Sequence, residues 1–319
     1  MKRSKNLFEK ICGIQNLHDA CYKAARHKRR SLEYLCFREK LEPKLEDVRQ
    51  ELLNGSYRAG EYRQFKISDP KERIISAAPF KDRVIHHAII NVLEPVFERQ
   101  MIYHTYACRK GKGTHAAARH AFRMAKKYRY FLKLDVRKYF DSINHTVLNK
   151  QLCRIIKDER CLCLLFTVID SYCTDENRGL PIGNLTSQFF ANLYLSPLDH
   201  YILEELKPCA YVRYMDDMIL FDDSMDRLKS MYGIISLFCR ERLFLQLKQP
   251  SFGKTGQGVP FLGWRLSSTG IRLLGKTKRR MKVKVREIIM DYQNNVADEE
   301  KTLARIQSVN SARKLRIMN

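Results

Sequence analysis

Residues 209–223 read CAYVRYMDDMILFDD, two short apolar strands meeting at a turn that holds Asp216 and Asp217 side by side. No other feature constrains the chain as strongly. Adjacent carboxylates between Tyr214-Met215 and Met218-Ile-Leu-Phe repel each other and resist burial unless a cation neutralises them. A Tyr-x-Asp-Asp tetrad arises by chance in roughly a few per cent of chains this long, so it needs a second signal. Asp135 supplies it, at the end of an apolar strand expected over 130–136. If these strands are neighbours, Asp135 and Asp216 can together hold two Mg2+ (or, in vitro, Mn2+). Asp217 is then a weaker third ligand and the Val136 carbonyl a helper.

The rest of the chain suits a polyanionic partner. Its 319 residues carry 59 Lys and Arg against 35 Asp and Glu, a net charge of +24. With 45% hydrophobic residues it is no disordered basic tail. No stretch approaches the ~20 apolar residues of a membrane span. The basic N-terminus lacks the apolar core of a secretory signal. Ten cysteines without an export signal read as reduced thiols, hence a cytoplasmic protein. Basic clusters recur at 26–30, 71–83, 109–112, 123–133 and 276–286, interleaved with Tyr, Phe and Gly as in a groove following a phosphate backbone. Nucleic acid is thereby favoured over an anionic membrane. Carboxylates amid such a groove suggest nucleotidyl transfer, in which one metal activates a 3′ hydroxyl and the other stabilises leaving pyrophosphate.

Periodicity predicts helices to about residue 53, with Leu7, Ile11, Ile14, Leu17, Cys21 and Ala24 at helical spacing and Asn54-Gly55 as the stop. Alternation predicts strands over 57–79, with a turn at Asp69-Pro70. A helix over 81–99 should bury Val84, Ala88, Val92 and Val96 on one face, with Pro95 kinking or ending it. Thr114 is the expected N-cap of a helix reaching Lys127. Further helices are expected over 143–172 (two), 186–206 and 225–244. Residues 253–258 read as a Gly-rich turn, 261–274 as a strand pair, and the remainder as basic helix. The layout is α+β, helices packed on a small antiparallel sheet with helical appendages at both ends. Gly111-Lys-Gly-Thr lacks the spacing of a P-loop and reads as a basic loop. Cys161-x-Cys163 has the wrong spacing for zinc and reads as buried thiols, and His86-His87 as structural.

Taken in order, these motifs resemble those of reverse transcriptases. Tyr214-Met-Asp-Asp217 is similar to the family's catalytic hairpin, and LKLDVRKYFDSINH (132–145) to the strand carrying its first metal ligand. Gly179-Leu-Pro-Ile-Gly-Asn resembles its nucleotide-pocket loop, and Phe261-Leu-Gly-Trp264 its primer-grip hairpin. The resemblance implies a right-hand polymerase with fingers, palm and thumb. An N-terminal helical extension would occupy 1–56 and the fingers 57–129. The palm, an antiparallel sheet packed on helices, would occupy 130–264 with fingers helices inserted around 143–175, and a short basic helical thumb 265–319. It implies RNA-directed DNA synthesis, with Asp135, Asp216 and Asp217 catalytic. Lys71 and Arg73 match the residues that grip the triphosphate, and Phe140 the steric gate against a ribose 2′-OH. Ile182 and Gln188 would lie near the templating pair, and Lys248 or Lys254 near pyrophosphate. Primer, template or departing duplex would meet Arg83, Arg109, Lys112, Tyr214, Met215, Gly263, Trp264, Lys278, Arg279 and Arg280.

Within that family, RIISAAPFKDRVIHHAI, TYACRKGKGTHAA and LPIGNLTSQFFANLYLSPLDHYI resemble the enzymes of diversity-generating retroelements, bacterial or phage-encoded. Group II intron enzymes and most retroviral ones carry Gln where this chain has Ile182. The Gly-Asn-x-x-Ser-Gln pattern, Gly183 to Gln188, is characteristic of the diversity-generating branch. The resemblance implies error-prone copying of template adenines for mutagenic retrohoming. Its partners would be template RNA, primer, cDNA, deoxynucleotides and a small basic helical accessory protein. The alternatives are a reverse transcriptase of a phage-defence or other domesticated bacterial system and, in another class, a non-catalytic RNA-binding protein with a polymerase fold. Neither a ribonuclease H domain nor a Cys/His-rich nuclease tail is expected after the thumb.

Overall fold

A computed structural model of the chain describes residues 3–26, 28–68, 72–294, 296 and 298–313. In chain order the helices α1 (Phe8–Ile11), α2 (Ile14–Ala24), α3 (Leu32–Glu39) and α4 (Leu41–Leu53) come first. Strands β1 (Arg63–Ile67) and β2 (Arg73–Ala77) follow, then α5 (Phe80–Glu98), α6 (Thr114–Lys127) and β3 (Tyr130–Leu134). Next are α7 (Tyr139–Ser142), α8 (His145–Ile155), α9 (Glu159–Asp170), α10 (Leu185–Tyr194) and α11 (Ser196–Tyr201). Strands β4 (Ala210–Tyr214) and β5 (Asp217–Asp222) precede α12 (Met225–Arg242) and β6 (Ser251–Lys254). The last elements are β7 (Val259–Phe261), β8 (Trp264–Ser267), β9 (Gly270–Leu273), α13 (Gly275–Gln293) and α14 (Glu299–Arg313). They form two compact units: Met1–Tyr103 with Val136–Tyr201 and Ser236–Leu247, and His104–Asp135 with Ile202–Ile235 and Lys248–Asn319.

The first unit is built around α5. Val84, Ala88 and Val96 are buried as their spacing predicts and Val92 only partly, while Ile85, His86, Ile89, Ile90 and Leu93 are buried too. With α1, α2, α3 and α10 all packed on it, α5 is enclosed on several sides instead of having one wet face. Pro95 does not end the helix, which runs on to Glu98. Asp82, buried in the first turn of α5, accepts from the Tyr57 hydroxyl at 3.0 Å and the Gly60 N–H at 2.8 Å, anchoring the segment before β1. Asp158 accepts from the N–H groups of Leu7 and Phe8 at 2.7 and 2.9 Å and caps α9 through Cys161 N–H at 3.1 Å. One carboxylate thus satisfies orphan donors at two helix starts. The expected single helix over 186–206 is instead α10, then α11 and a π-turn over Ile202–Leu206. Pro197, lacking an N–H, is tolerated because it falls in the first turn of a new helix. The Asp69-Pro70 turn and Lys71 lie outside the described residues.

The second unit holds an antiparallel sheet of order β4-β5-β3-β6 and a three-stranded sheet of order β7-β8-β9. Register pairs Leu132 with Leu220, Leu134 with Met218, and Val212 with Ile219. On one face Phe131, Val212, Ile219 and Phe221 pack with Val259, Phe261, Trp264 and Leu266 and with Ala117, Ala118, Ala121 and Ala125 of α6. The alanines let α6 lie close to both sheets. Gly253, expected in a turn, is a strand residue of β6 opposite Phe131. A Cβ there would sit 2.7 Å from the Phe131 ring, so glycine makes room for the aromatic. The expected strand pair over 261–274 is three strands. Thr114 is not a cap: it is the first helical residue after Gly113, and its hydroxyl donates to the Tyr214 hydroxyl at 3.2 Å. Of the two thiols expected buried, Cys161 is, but Cys163 is exposed. Among the described residues no helix is long and apolar enough to cross a membrane.

Candidate active site

Strand pairing gathers the three acids at one end of the four-stranded sheet. Tyr214 is opposite Asp217 and Leu134 opposite Met218, so Asp135, the residue after β3, comes level with the β4–β5 turn. Side chains alternate along a strand, which puts Lys133 and Asp135 on one face of β3, and Asp217 with Ile219 on the matching face of β5. Lys133 is opposite Ile219, so Asp217 is its diagonal neighbour, within reach of a long side chain. Its ammonium stands 3.2 Å from Asp217 Oδ2 and donates to the Pro260 carbonyl at 3.1 Å. Lys248 Nζ donates to Asp135 Oδ2 at 2.7 Å, and its backbone N–H to the Asp135 carbonyl at 2.8 Å. Between the strands, Met215 adopts φ +53°, a left-handed conformation that costs an L-residue energy. Arg213, wholly buried, donates from its guanidinium to the Met215 carbonyl at 3.1 Å and so pins the turn.

Burial, and after it the neighbouring Asp135 carboxylate, raises the Asp216 pKa to about 6. Burial raises that of Asp217 to about 7, although Lys133 pulls the other way. Among the described residues no three His, Cys, Asp or Glu side chains stand converged as a ready metal cage; lysines hold two of the carboxylates instead. Yet Asp135 Oδ1 and Asp217 Oδ1 are both buried without a hydrogen-bond partner. Bare carboxylate oxygens beside carboxyls of raised proton affinity are relieved by a hard divalent cation, so these residues fit one. Val136 follows directly. Its bridge to Leu247 is closed by Arg137 N–H to Gln246 and Lys248 N–H to Asp135, which leaves the Val136 carbonyl outside that pairing.

Register also separates the two late lysines. Lys254 pairs with Tyr130, at the far end of β3 and ~13 Å of strand from Leu134. Lys248, not Lys254, is therefore the lysine at the carboxylates.

In the first unit, Arg73 and Ile182 line one cavity of about 670 Å3, together with Ile74, Lys138, Tyr172 and Arg178. The loop bearing Ile182 lies on β2, its Ile182 carbonyl accepting from Ser76 N–H at 2.9 Å. Gly183 has φ +119°, and a Cβ there would come within 2.8 Å of Ile75. Phe140 lies on α7, a helix that periodicity did not reveal, and its carbonyl accepts from Leu180 N–H at 2.9 Å. Gln188 is half-buried on α10. Arg83 is largely buried, paired with Glu33 at 2.6 Å and stacked over Phe80.

The remaining candidates belong to the second unit. Arg109 donates to the Thr105 carbonyl at 2.8 Å and Lys112 lies over the Tyr106 ring, so both organise the loop before α6. Trp264 is a core residue with its ring against His115, and Gly263 has φ +90° at the β7–β8 turn. Lys278, Arg279 and Arg280 are exposed on α13. Sequence reading missed Lys133 and Arg213. The available signal was a cation inside each apolar strand, two residues before Asp135 and one before Tyr214.

Residues 66–266 match the reverse transcriptase (RNA-dependent DNA polymerase) family. The chain is 26% identical over 281 residues to protein YkfC of Escherichia coli, covering 71% of this chain and 72% of that protein. It is also 26% identical over 172 residues to the group II intron-encoded protein LtrA of Lactococcus lactis, 51% of this chain and 29% of LtrA. Its fold is similar to that of apo telomerase from Candida tropicalis, with a TM-score of 0.55, 11% identity, and coverage of 79% of this chain and 57% of the telomerase. The family match takes in β3, the β4–β5 hairpin and all three aspartates, and spans most of the sequence: the chain belongs to the reverse transcriptase family.

Proposed function

We propose that the chain copies a template RNA into cDNA by nucleotidyl transfer at Asp135, Asp216 and Asp217. The observation that carries this reading is the gathering of the three acids at one end of the β4-β5-β3-β6 sheet, with two bare buried carboxylate oxygens. Mg2+ held by these carboxylates would supply activation of the 3′ hydroxyl and charge neutralisation at the leaving pyrophosphate. The chain's own residues prepare that site: Lys133 and Lys248 offset the carboxylate charge, and Arg213 fixes the turn. Arg73, with a guanidinium fork suited to phosphate, would bind the triphosphate. Phe140 would select deoxynucleotides by excluding a 2′-OH. Lys278, Arg279 and Arg280, with the rest of basic α13, would hold the duplex through its phosphates.

Within this reading we assign the diversity-generating branch and mutagenic retrohoming. Support comes from Ile182, an apolar residue in the cavity shared with Arg73, and from the Gly183–Gln188 pattern. An isoleucine offers no hydrogen bond to an incoming nucleotide, which loosens control of pairing. A basic accessory protein would join through RNA lying between two positive surfaces.

Primer extension on a defined adenine-containing RNA, with Mg2+, tests both levels. Extension is expected, and Asp216→Asn should lower its rate by at least about a hundredfold while the protein stays folded. Product sequencing should show errors concentrated opposite adenine and reduced in Ile182→Gln. Failure of the folded wild type to extend any primer would overturn the polymerase reading. Accurate copying of adenine would overturn only the branch.

A further inference from the structure

Lys133 is the one charged residue of β3, set between Leu132 and Leu134, both fully buried. Its side chain points to the other face and is 24% exposed, and an ammonium so largely withdrawn from water needs polar partners. It finds two, on different sheets. One is Asp217 Oδ2 at 3.2 Å, on the first residue of β5; the other is the Pro260 carbonyl at 3.1 Å, in the middle of β7. Strand β7 is the edge of the three-stranded sheet and runs directly into the Phe261-Leu-Gly-Trp264 turn.

The apolar cluster that joins the sheets, Phe131 against Phe261 and Trp264 among others, is cohesive but non-directional. The ammonium adds direction. A retreat of β7 by about 1 Å along the 3.1 Å bond would carry it beyond hydrogen-bonding range. Asp217 Oδ1 meanwhile has no hydrogen-bond partner, so the second contact of the ammonium goes to the hairpin, not to a bidentate grip on the carboxylate. Neutralising Asp217 alone would not require that geometry.

We propose that Lys133 is a positioning residue, locking the β7–β8 hairpin to the Asp217 carboxylate so that a primer strand resting on the hairpin and the reacting end of the sheet keep a fixed separation. The proposal rests on the polymerase reading above for its kinetic consequence, though not for the bridge itself.

The test uses the full chain, with Lys133→Met to remove the charge at similar length and Lys133→Arg to restore it. In primer extension, with primer–template and deoxynucleotide titrated separately, Lys133→Met should raise the primer–template KM about tenfold, the scale of one charge-assisted hydrogen bond. The deoxynucleotide KM should stay within about twofold, and Lys133→Arg should recover most of the loss. A fall in kcat with unchanged primer–template KM would reduce Lys133 to a counter-ion and overturn the proposal. Hydrogen exchange supplies a readout without catalysis. Amides of Val259 and of 261–264 should exchange about tenfold faster in Lys133→Met, with those of α5 unchanged. No acceleration, or a uniform one across the second unit, would also overturn it. If the wild type proves inactive, the polymerase reading fails while exchange still decides the bridge.

Discussion

Replacing Asp217 by Asn should make the protein more stable and less active at once. Burial lifts this carboxyl to about 7, roughly three pH units above its value in an unfolded chain. At about 1.4 kcal/mol per unit, the ionised form costs the fold up to about 4 kcal/mol at pH 8. That figure is an upper bound, because the side chain is 22% exposed and the substitution also takes a partner from Lys133. About half, ~2 kcal/mol, is the expected gain for the isosteric amide. The sign follows from the raised pKa. The folded state holds a proton that the unfolded state releases, so the wild type suffers no penalty below pH ~4, an increasing one between pH 4 and 7, and a constant one above. Thermal unfolding in chelator should therefore show a Tm gain for Asp217→Asn of roughly 4 °C at pH 8 and less than about 2 °C at pH 5. Equal or lower Tm at pH 8, or a larger gain at pH 5, would refute the reasoning.

Phe140→Ala should admit ribonucleotides: in competition with deoxynucleotides, incorporation should rise by at least about tenfold, and unchanged discrimination would remove Phe140 from the gate. Gly253→Ala should cost about 1–3 kcal/mol, since its Cβ would meet the Phe131 ring at 2.7 Å. Chemical denaturation measures that loss, and adding Phe131→Leu to the same chain should recover part of it.

The Asp216-Asp217 hairpin was legible because carboxylates amid apolar strands are rare and expensive, and Asp135 was legible for the same reason. The contacts that organise them were not. Lys133 finds its partners 84 and 127 positions away, at Asp217 and Pro260, a relation that only strand pairing creates. The choice between Lys248 and Lys254 likewise depended on register, which places one beside Asp135 and the other opposite Tyr130. Local signals failed where tertiary packing took over. Gly253 resembles a turn residue until Phe131 is seen to lie over it, and Val84, Ala88 and Val96 describe one face of a helix buried on several. Thr114 has the chemistry of a cap, but its hydroxyl serves Tyr214, a hundred residues on.

The order of the main sheet leaves β4 at one end, where an unpaired row of N–H and C=O groups would be adhesive toward other chains. The loop before α6 covers it. Arg213 donates its N–H to the His104 carbonyl and accepts from Tyr106 N–H, each at 3.0 Å, in a parallel bridge with Thr105. This basic segment is thus also a guard against self-association. Shortening or nicking it within 104–113 would uncover a sticky edge beside the Met215-Asp216 turn, and aggregation would be the first symptom.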